Sequence, residues 1–219
     1  MTRRLRGTRQ TTQLPSTMSK ILPLLLAAAG ALLGAGSAQA QDAAAGEKKA
    51  AMCIGCHGIK GYQSSFPQVH KVPMISGQGS KYIVAALNAY KKGERRHPSM
   101  RGIAGSLTEQ DMADLGAYYE QHGASMIKAV AETPAVAPSP AVAELLTKGA
   151  CASCHGANFS KPIDGSYPKL AGQHADYLFV ALKSYAIGAR PQIGRSNAIM
   201  GAQVQQFSRA ELKLSLIHI

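Results

Sequence analysis

Apolar side chains recur at intervals of three and four residues in several stretches of the chain, which is the spacing of one face of a helix. One such series covers residues 82–90 and a second covers residues 112–119. A glycine follows each series, Gly93 after the first and Gly123 after the second, and glycine commonly ends helices. The pattern therefore predicts two amphipathic helices that end at these glycines.

Polar residues mark where further helices begin. Asp42 precedes an Ala-rich segment that ends at Met52, so we expect a helix there with Asp42 as its N-cap. Thr108 and Asp111 have the spacing of a capping box in which Asp replaces the usual Glu. Two segments without the helical period are predicted to be loops: residues 58–79, rich in Gly, Ser and Pro, and Glu94–Ser106.

The second half of the chain repeats the first. Six residues recur at an offset of 95: Gln78, Tyr82, Leu87, Tyr90, Gly93 and Arg95 correspond to Gln173, Tyr177, Leu182, Tyr185, Gly188 and Arg190. Three more recur at an offset of 100: Met100, Leu107 and Asp111 correspond to Met200, Phe207 and Glu211, and Ser208 opens a second capping box. A duplication explains these matches better than chance, and the scarcity of β-branched runs favours an all-α fold.

The repeat also sets the predicted domain boundaries. We predict a first domain over residues 41–128, a proline-stiffened linker over residues 129–141 and a second domain over residues 142–219. Ser139 and Pro140 have the residue types preferred at the N-cap and first position of a helix, which we expect to carry the second C-x-x-C-H motif, at residues 151–155.

Residues 1–40 have the pattern of a secretory signal peptide. Lys20 precedes an apolar run over residues 21–33, and the sequence A-Q-A at residues 38–40 is a cleavage signature. Met18 would begin a signal peptide of ordinary length, so we predict Met18 as the true start. The apolar run is shorter than the ~20 residues of a membrane span, which makes an uncleaved anchor the weaker alternative. We therefore predict Sec-type export to the periplasm.

The net charge changes this picture little. The formal charge is +12, but residues 41–219 carry 19 Lys and Arg against 12 Asp and Glu. The sequence lacks the dense basic stripe with interleaved aromatic residues that is typical of nucleic-acid-binding proteins. We predict no nucleic-acid partner.

All four cysteines lie in two C-x-x-C-H motifs, at residues 53–57 and, 98 residues later, at residues 151–155. On one helical turn such thiols share a face with the adjacent imidazole, so both can add to haem vinyl groups while the imidazole reaches the iron. The motifs predict two covalently bound haem c groups. The thioether residues would be Cys53, Cys56, Cys151 and Cys154, and the proximal iron ligands His57 and His155.

Three other uses of C-x-x-C pairs are weaker. A four-thiolate zinc site usually separates its pairs by about 15–20 residues and leaves the histidines without a role. A thioredoxin-like dithiol needs a βαβ context, which the sequence does not show. Disulfides would suit an exported protein, but the paired histidines favour thioethers.

The sixth iron ligands must come from elsewhere in the chain. Met200 is the only Met of the second half and matches Met100, and the His-to-Met spacing is 43 residues in the first half and 45 in the second. We therefore predict Met100 and Met200 as axial ligands. The methionines without counterparts are expected in the core: Met52, Met74, Met112 and Met126. The histidines without counterparts are expected at the surface: His70, His97, His122 and His174.

Ligation by His and Met raises the reduction potential and leaves no vacant iron position for a substrate. The predicted function is outer-sphere electron transfer without catalysis. Two alternatives use the same residues: a cytochrome subunit of a periplasmic dehydrogenase, and a di-haem peroxidase-like enzyme. The peroxidase alternative would need an exchangeable iron ligand, which two matched methionines argue against.

Both halves contain C-x-x-C-H-G, and the sequence P-K-L-A-G-Q at residues 168–173 has a weaker copy at residues 73–78. Over about residues 41–213 the chain resembles the di-haem cytochrome c4 family of bacterial periplasms. The resemblance implies two tandem class I cytochrome c domains related by internal duplication, packed about a pseudo-two-fold axis with haem propionates close together. It also implies that the Pro73 and Pro168 carbonyls accept hydrogen bonds from His57 and His155.

The implied partners are redox proteins: a cytochrome bc complex or a dehydrogenase as electron donor, and a terminal oxidase as acceptor. Loose membrane association would be compatible with this role. The chain departs from the family pattern at residues 214–219, L-S-L-I-H-I, which match the translation of a sequencing adapter. We expect that these residues are an artefact and that the second domain lacks most of its last helix.

Overall fold

The computed structural model of the protein describes residues 40–126 and 136–216. The predicted signal peptide up to residue 39, the predicted linker up to residue 135, and residues 217–219 lie outside the described residues. In the first half the helices are α1 (Ala43–Lys49), α2 (Ala51–His57), α3 (Ser80–Lys92), α4 (Pro98–Gly105) and α5 (Glu109–Met126). In the second half they are α6 (Pro140–Lys148), α7 (Cys151–His155), α8 (Ala175–Ile187), α9 (Ala198–Gln205) and α10 (Arg209–Ser215).

The described strands are four two-residue segments: β1 (Gln63–Ser64), β2 (His70–Lys71), β3 (Arg95–Arg96) and β4 (Gly194–Arg195). β1 pairs with β2 inside the first half, whereas β3 pairs with β4 across the two halves, both antiparallel. The fold is therefore all-α, as predicted. None of the described helices is long and apolar enough to cross a lipid bilayer.

The predicted helix starts are confirmed by their hydrogen bonds. The Asp42 carboxylate accepts from the backbone amides of Ala44 and Ala45. Thr108 and Asp111 bond reciprocally, with the Thr108 amide 2.9 Å from Asp111 Oδ2 and the Asp111 amide 3.1 Å from Thr108 Oγ1. The same capping-box arrangement is present at Ser208. Ser139 caps α6, which begins at Pro140 as predicted, but α6 ends at Lys148 and the second C-x-x-C-H motif lies on the separate helix α7.

The two predicted helix-ending glycines behave differently. Gly93 ends α3 in the left-handed region, at φ 77°, as predicted. Gly123 does not end α5, which continues to Met126, so that prediction was wrong. At Gly123 the loop around Gly77 crosses α5 so closely that a Cβ would overlap the Gly77 backbone, and the Gly77 amide donates to the Tyr119 carbonyl at 2.8 Å. Gly123 therefore serves a close approach of two backbones.

The prediction of a continuous loop over residues 94–106 was also wrong. After β3, residues 98–105 form α4, with Pro98 in its first turn, and α9 is the matching helix of the second half. Pro suits the first turn because its missing amide hydrogen has no helical partner there. Both predicted methionine ligands therefore lie on short helices.

The core of the first half forms where α5 packs against α1 and α3. Its buried residues are Ala50, Ile83, Leu107, Met112, Leu115 and Tyr119. Gly46 lets α1 approach the α5 backbone at Asp114, where a Cβ would collide. The buried Asp114 carboxylate accepts from the Asp42 amide at 3.0 Å and from Lys49 Nζ at 2.7 Å. This crossing fixes the chain on either side of the first C-x-x-C-H motif.

Candidate functional site

The two C-x-x-C-H motifs lie on short helices, as their spacing predicts. The first occupies the end of α2 and the second forms α7. None of the four cysteines, which all lie in the described ranges, forms a disulfide, and all four line a cavity of about 1120 Å³. Burial raises the pKa of the Cys53 and Cys151 thiols. Each helix thus presents two thiols and an imidazole to one interior space.

The proximal histidines are oriented by backbone carbonyls. His57 Nδ1 donates to the Pro73 carbonyl at 2.8 Å, and His155 Nδ1 donates to the Pro168 carbonyl at 3.1 Å. The hydrogen bonds that the family resemblance implies are therefore confirmed. Burial lowers the pKa of both histidines, although each carbonyl hydrogen bond opposes the shift. A neutral ring that donates through Nδ1 keeps the Nε2 lone pair available for a metal.

Met100 on α4 and Met200 on α9 line the same cavity as the two histidines. Both side chains are half-buried. The Asn197 side chain caps α9 by accepting from the Met200 amide at 2.9 Å. The structure therefore brings together all eight residues that the sequence nominates, four thiols, two imidazoles and two thioethers, on the wall of one cavity.

The residues without counterparts differ partly from expectation. Met112 is fully buried in the core, as predicted, but Met52 is 50% exposed and Met74 is also exposed, so for these two the prediction was wrong. Both line the cavity and lie outside the buried core of the first half. The side chain of Met126 lies outside the described residues.

One of the four unmatched histidines, His70, is not a surface residue. His70 is only 5% exposed, its Nδ1 lies 2.8 Å from the Gln68 carbonyl, and its ring stacks on Tyr177 of the other half. His97, His122 and His174 are half-buried. The surface prediction was therefore wrong for His70, which packs against the other half, whereas the other three histidines remain partly exposed.

The charged side chains on the described part of the cavity wall are all cationic. Besides its apolar residues the wall contains four cationic side chains, Arg95, Arg96, Lys169 and Arg195, and none of its described lining residues is Asp or Glu. Neither Arg95 nor Arg195 forms an ion pair with a carboxylate among residues 40–126 and 136–216. Buried cations require a compensating anion. The wall therefore fits a ligand that is largely apolar and carries several negative charges.

Each of the two facing arginines is held by two tyrosines of its own half. Arg95 lies over the rings of Tyr82 and Tyr90, at 5.3 and 5.8 Å from their centroids. In the second half Arg195 lies over the rings of Tyr177 and Tyr185, at 5.7 and 5.2 Å. Burial raises the pKa of Tyr82 to about 12, although Arg95 opposes the shift, so its hydroxyl remains protonated at neutral pH.

This geometry corrects the repeat alignment. The counterpart of Arg95 is Arg195, at an offset of 100, and not Arg190, which is exposed. The five extra residues of the second half therefore lie between Gly188 and Arg195. Sequence reasoning missed the role of these arginines; the signal was the four matched tyrosines, which had no assigned function.

The zinc alternative finds no support in the side-chain geometry. Within the described ranges no three His, Cys, Asp or Glu side chains cluster in a way that could hold a metal ion. Haem c fits the same residues without such a cluster. Paired thiols would attach it, an imidazole and a thioether of each half would be available to its iron, apolar side chains would pack against the macrocycle, and arginines would donate to its propionates.

Comparison with known proteins agrees with these features. A family model described as Cytochrome c matches residues 43–122 and 141–215. Cytochrome c4 of Pseudomonas aeruginosa is 35% identical over 181 residues, which are 81% of this chain and 86% of that protein. The chain belongs to the cytochrome c4 family. It accordingly consists of two tandem cytochrome c domains and carries two covalently bound haem c groups.

Two further relatives extend the comparison of this cytochrome c4 family member. The crystal structure of reduced recombinant cytochrome c4 from Pseudomonas stutzeri superposes with a TM-score of 0.60 at 28% identity, covering 82% of this chain and 98% of that one. A thiosulfate dehydrogenase electron acceptor of Stutzerimonas stutzeri is 29% identical, covering 86% of this chain and 89% of that protein. The family members thus match both halves, and the protein is a di-haem electron-transfer cytochrome.

Proposed function

We propose that the protein is a periplasmic electron shuttle without catalytic activity of its own, in which His57 and Met100 ligate one iron and His155 and Met200 ligate the other. One observation supports this assignment most directly: among the described His and Met residues on the wall that presents the four thiols, His57 with His155 and Met100 with Met200 are the pairs that correspond between the two halves. Two filled axial positions leave no place for a substrate to bind. The haems then supply reversible one-electron chemistry.

The protein residues have three tasks in this function. Cys53, Cys56, Cys151 and Cys154 anchor the two groups covalently. The Pro73 and Pro168 carbonyls fix the imidazole planes through Nδ1. The arginines between the tyrosine pairs neutralise propionates inside an apolar wall, and a dry, positively charged site raises a haem's reduction potential because it disfavours the ferric charge.

We further propose that the signal over residues 1–40 directs export and that the partners are redox proteins. The donor would be a cytochrome bc complex or a dehydrogenase and the acceptor a terminal oxidase. A second candidate is a subunit that remains bound to a dehydrogenase, and the relative named as a thiosulfate dehydrogenase electron acceptor favours it. Co-purification with a catalytic subunit at physiological salt would separate the bound subunit from the free shuttle.

The ligand assignment is tested on protein produced in a bacterial host that attaches haem to C-x-x-C-H motifs. The expected product carries two haems per chain and shows the near-infrared absorption of Met ligation to ferric iron. Met100→Ala and Met200→Ala should each remove about half of that band and allow carbon monoxide to bind one ferrous haem. Met52→Ala is the matched control and should change neither signal, because Met52 is 50% exposed and has no counterpart in the second half.

Two outcomes would contradict the proposal. Carbon monoxide binding by the unaltered reduced protein at neutral pH would show an open iron position and would favour the peroxidase alternative. A near-infrared band that survives both methionine substitutions would show that other side chains are the ligands.

A further inference from the structure

The side chain of Gln78 crosses from the first half to the second and bonds one residue twice. Its Oε1 accepts from the Lys169 amide at 3.0 Å, and its Nε2 donates to the Lys169 carbonyl at 2.6 Å. Gln78 is only 8% exposed, so water competes little for these bonds. Lys169 strengthens the contact because its Nζ donates to the Gly77 carbonyl at 2.8 Å.

A glutamine of the second half makes the equivalent contact with the first half. Gln173 Oε1 accepts from the Met74 amide at 3.0 Å, and Gln173 Nε2 donates to the Met74 carbonyl at 2.8 Å. At the offset of 95, Gln173 is the counterpart of Gln78 and Lys169 is the counterpart of Met74. Gln78 of the first half thus binds Lys169 of the second half, and Gln173 of the second half binds Met74, the counterpart of Lys169 in the first half.

The bonded residues adjoin the carbonyls that hold the proximal histidines. Lys169 directly follows Pro168, which accepts from His155, and Met74 directly follows Pro73, which accepts from His57. The amide that each glutamine bonds belongs to the same peptide unit as that proline carbonyl. A hydrogen bond to the N–H of a peptide unit fixes the plane in which its C=O points, because the unit is planar. Gln78 therefore controls the acceptor of His155, and Gln173 the acceptor of His57.

We propose that Gln78 and Gln173 are crossed positioning residues: each half of the protein sets the orientation and basicity of the axial imidazole in the other half. Groups that accept from the Nδ1–H of a metal-bound histidine raise its basicity, and a more basic ligand favours the ferric state. A glutamine that anchors this acceptor consequently lowers the reduction potential of the haem in the opposite half. The inference depends on His57 and His155 being iron ligands, as proposed above.

A purely structural role predicts a different result. In such a role the glutamines only join the two halves of the protein. The loss of either glutamine would then reduce the free energy of unfolding and would shift both haem potentials alike, because both glutamines lie at the same interface. The crossed role predicts one shifted haem per variant, always in the half that does not contain the substitution. The reduction potentials of the two haems therefore distinguish the two possibilities.

The experiment uses the holoprotein with Gln78→Met or Gln173→Met as single substitutions. Each keeps the length and volume of the side chain but removes its two hydrogen bonds to the other half. Spectroelectrochemical titration then resolves the two reduction steps. A Met200→His reference variant identifies the step of the second haem, because replacing its Met ligand lowers that potential. Ser196→Ala is the matched control, since its hydroxyl also crosses to the other half, to the Glu94 carbonyl at 3.4 Å, away from the proximal histidines.

We expect Gln78→Met to shift the reduction equilibrium of the second haem towards the ferrous state by roughly threefold or more, because loss of a direct partner of a metal ligand changes metal affinity or activity by about 10–100-fold and Gln78 acts one step further away. Gln173→Met should do the same to the first haem, and Ser196→Ala should move neither. Equal shifts of both haems, a shift confined to the substituted half, or no shift would overturn the proposal. The near-infrared Met band and the number of haems per chain are measured in each variant as well. If both are unchanged, the iron ligands are still in place, and an unexpected potential contradicts the role of the glutamines and not the ligand assignment.

Discussion

Arg95 and Arg195 lie directly opposite each other in the β3–β4 pair, so two like charges meet at the junction of the two halves. Like charges opposite each other in a strand pair are unfavourable unless an anion lies between or beside them. Each guanidinium is supported by a tyrosine hydroxyl, Arg95 by Tyr82 at 3.3 Å and Arg195 by Tyr177 at 3.1 Å. Haem propionates would supply the carboxylates that this position lacks among the described side chains.

We predict that Arg195→Gln lowers the measured reduction potentials. A cation near a haem disfavours the ferric state, which carries one more positive charge than the ferrous state, and Arg195 is only 9% exposed and thus weakly screened. The expected effect is about tenfold in a reduction equilibrium, or ~59 mV for one electron. Redox titration measures it. Arg190→Gln is the control, because Arg190 is exposed and should leave both potentials unchanged; equal effects of the two substitutions would contradict the assignment.

The sequence predicts some features of this site well and others not at all. The thiols, imidazoles and thioethers follow from short motifs and their repetition, because covalent and iron chemistry restricts residue types and local spacing. Because both residue 190 and residue 195 are arginine, the sequence does not show which one corresponds to Arg95, nor where the second half has its five extra residues. The pairing of β3 with β4 shows that the counterpart is Arg195. The alignment of Gln78 with Gln173 likewise gives no hint that each bonds the opposite half, since that depends on how the halves pack.

Gly123→Ala should strongly destabilise the first half. The added methyl would overlap the Gly77 backbone, which is held by its hydrogen bond to the Tyr119 carbonyl and cannot move aside as a side chain would. Overpacking costs about 1–3 kcal/mol and more where backbone must shift. Urea unfolding of the holoprotein measures it. Gly105→Ala, where a Cβ meets nothing within 4 Å, is the control and should be neutral or slightly stabilising.

Two methionines without counterparts allow a matched test of the core. Met112 is fully buried against the α1–α5 crossing and Met52 is 50% exposed. Met112→Ala should reduce the free energy of unfolding by about 2–5 kcal/mol, because it removes buried apolar volume and leaves a cavity. Met52→Ala should change it by less than about 0.5 kcal/mol. Similar losses in both variants, measured by urea unfolding, would show that this crossing is not the stabilising core.

The Lys49 contacts make the first half sensitive to acid. The Lys49 ammonium lies 2.8 Å from Asp111 Oδ1 and 2.7 Å from Asp114 Oδ2. Its hydrogen bond to Asp111, with those from Thr108, lowers the pKa of the Asp111 carboxyl. Burial alone would raise the pKa of Asp114, but the hydrogen bonds from Lys49, the Asp42 amide and Gln110 outweigh it and lower that pKa.

Because both carboxyl pKa values are lower in the folded protein than in the unfolded chain, their stabilising effect is complete above the unfolded value of ~3.9 and is lost as the pH falls through the folded values. Thermal melting of the unaltered protein should therefore show a lower Tm at pH 3 than at pH 6. Asp114→Ala should cost about 1–3 kcal/mol at pH 7, because the Asp42 amide and Gln110 lose a buried acceptor. It should also flatten this acid dependence, whereas Glu120→Gln, an exposed acid of the same helix, should leave it unchanged. An acid dependence of full size in Asp114→Ala would place the titrating groups elsewhere in the protein.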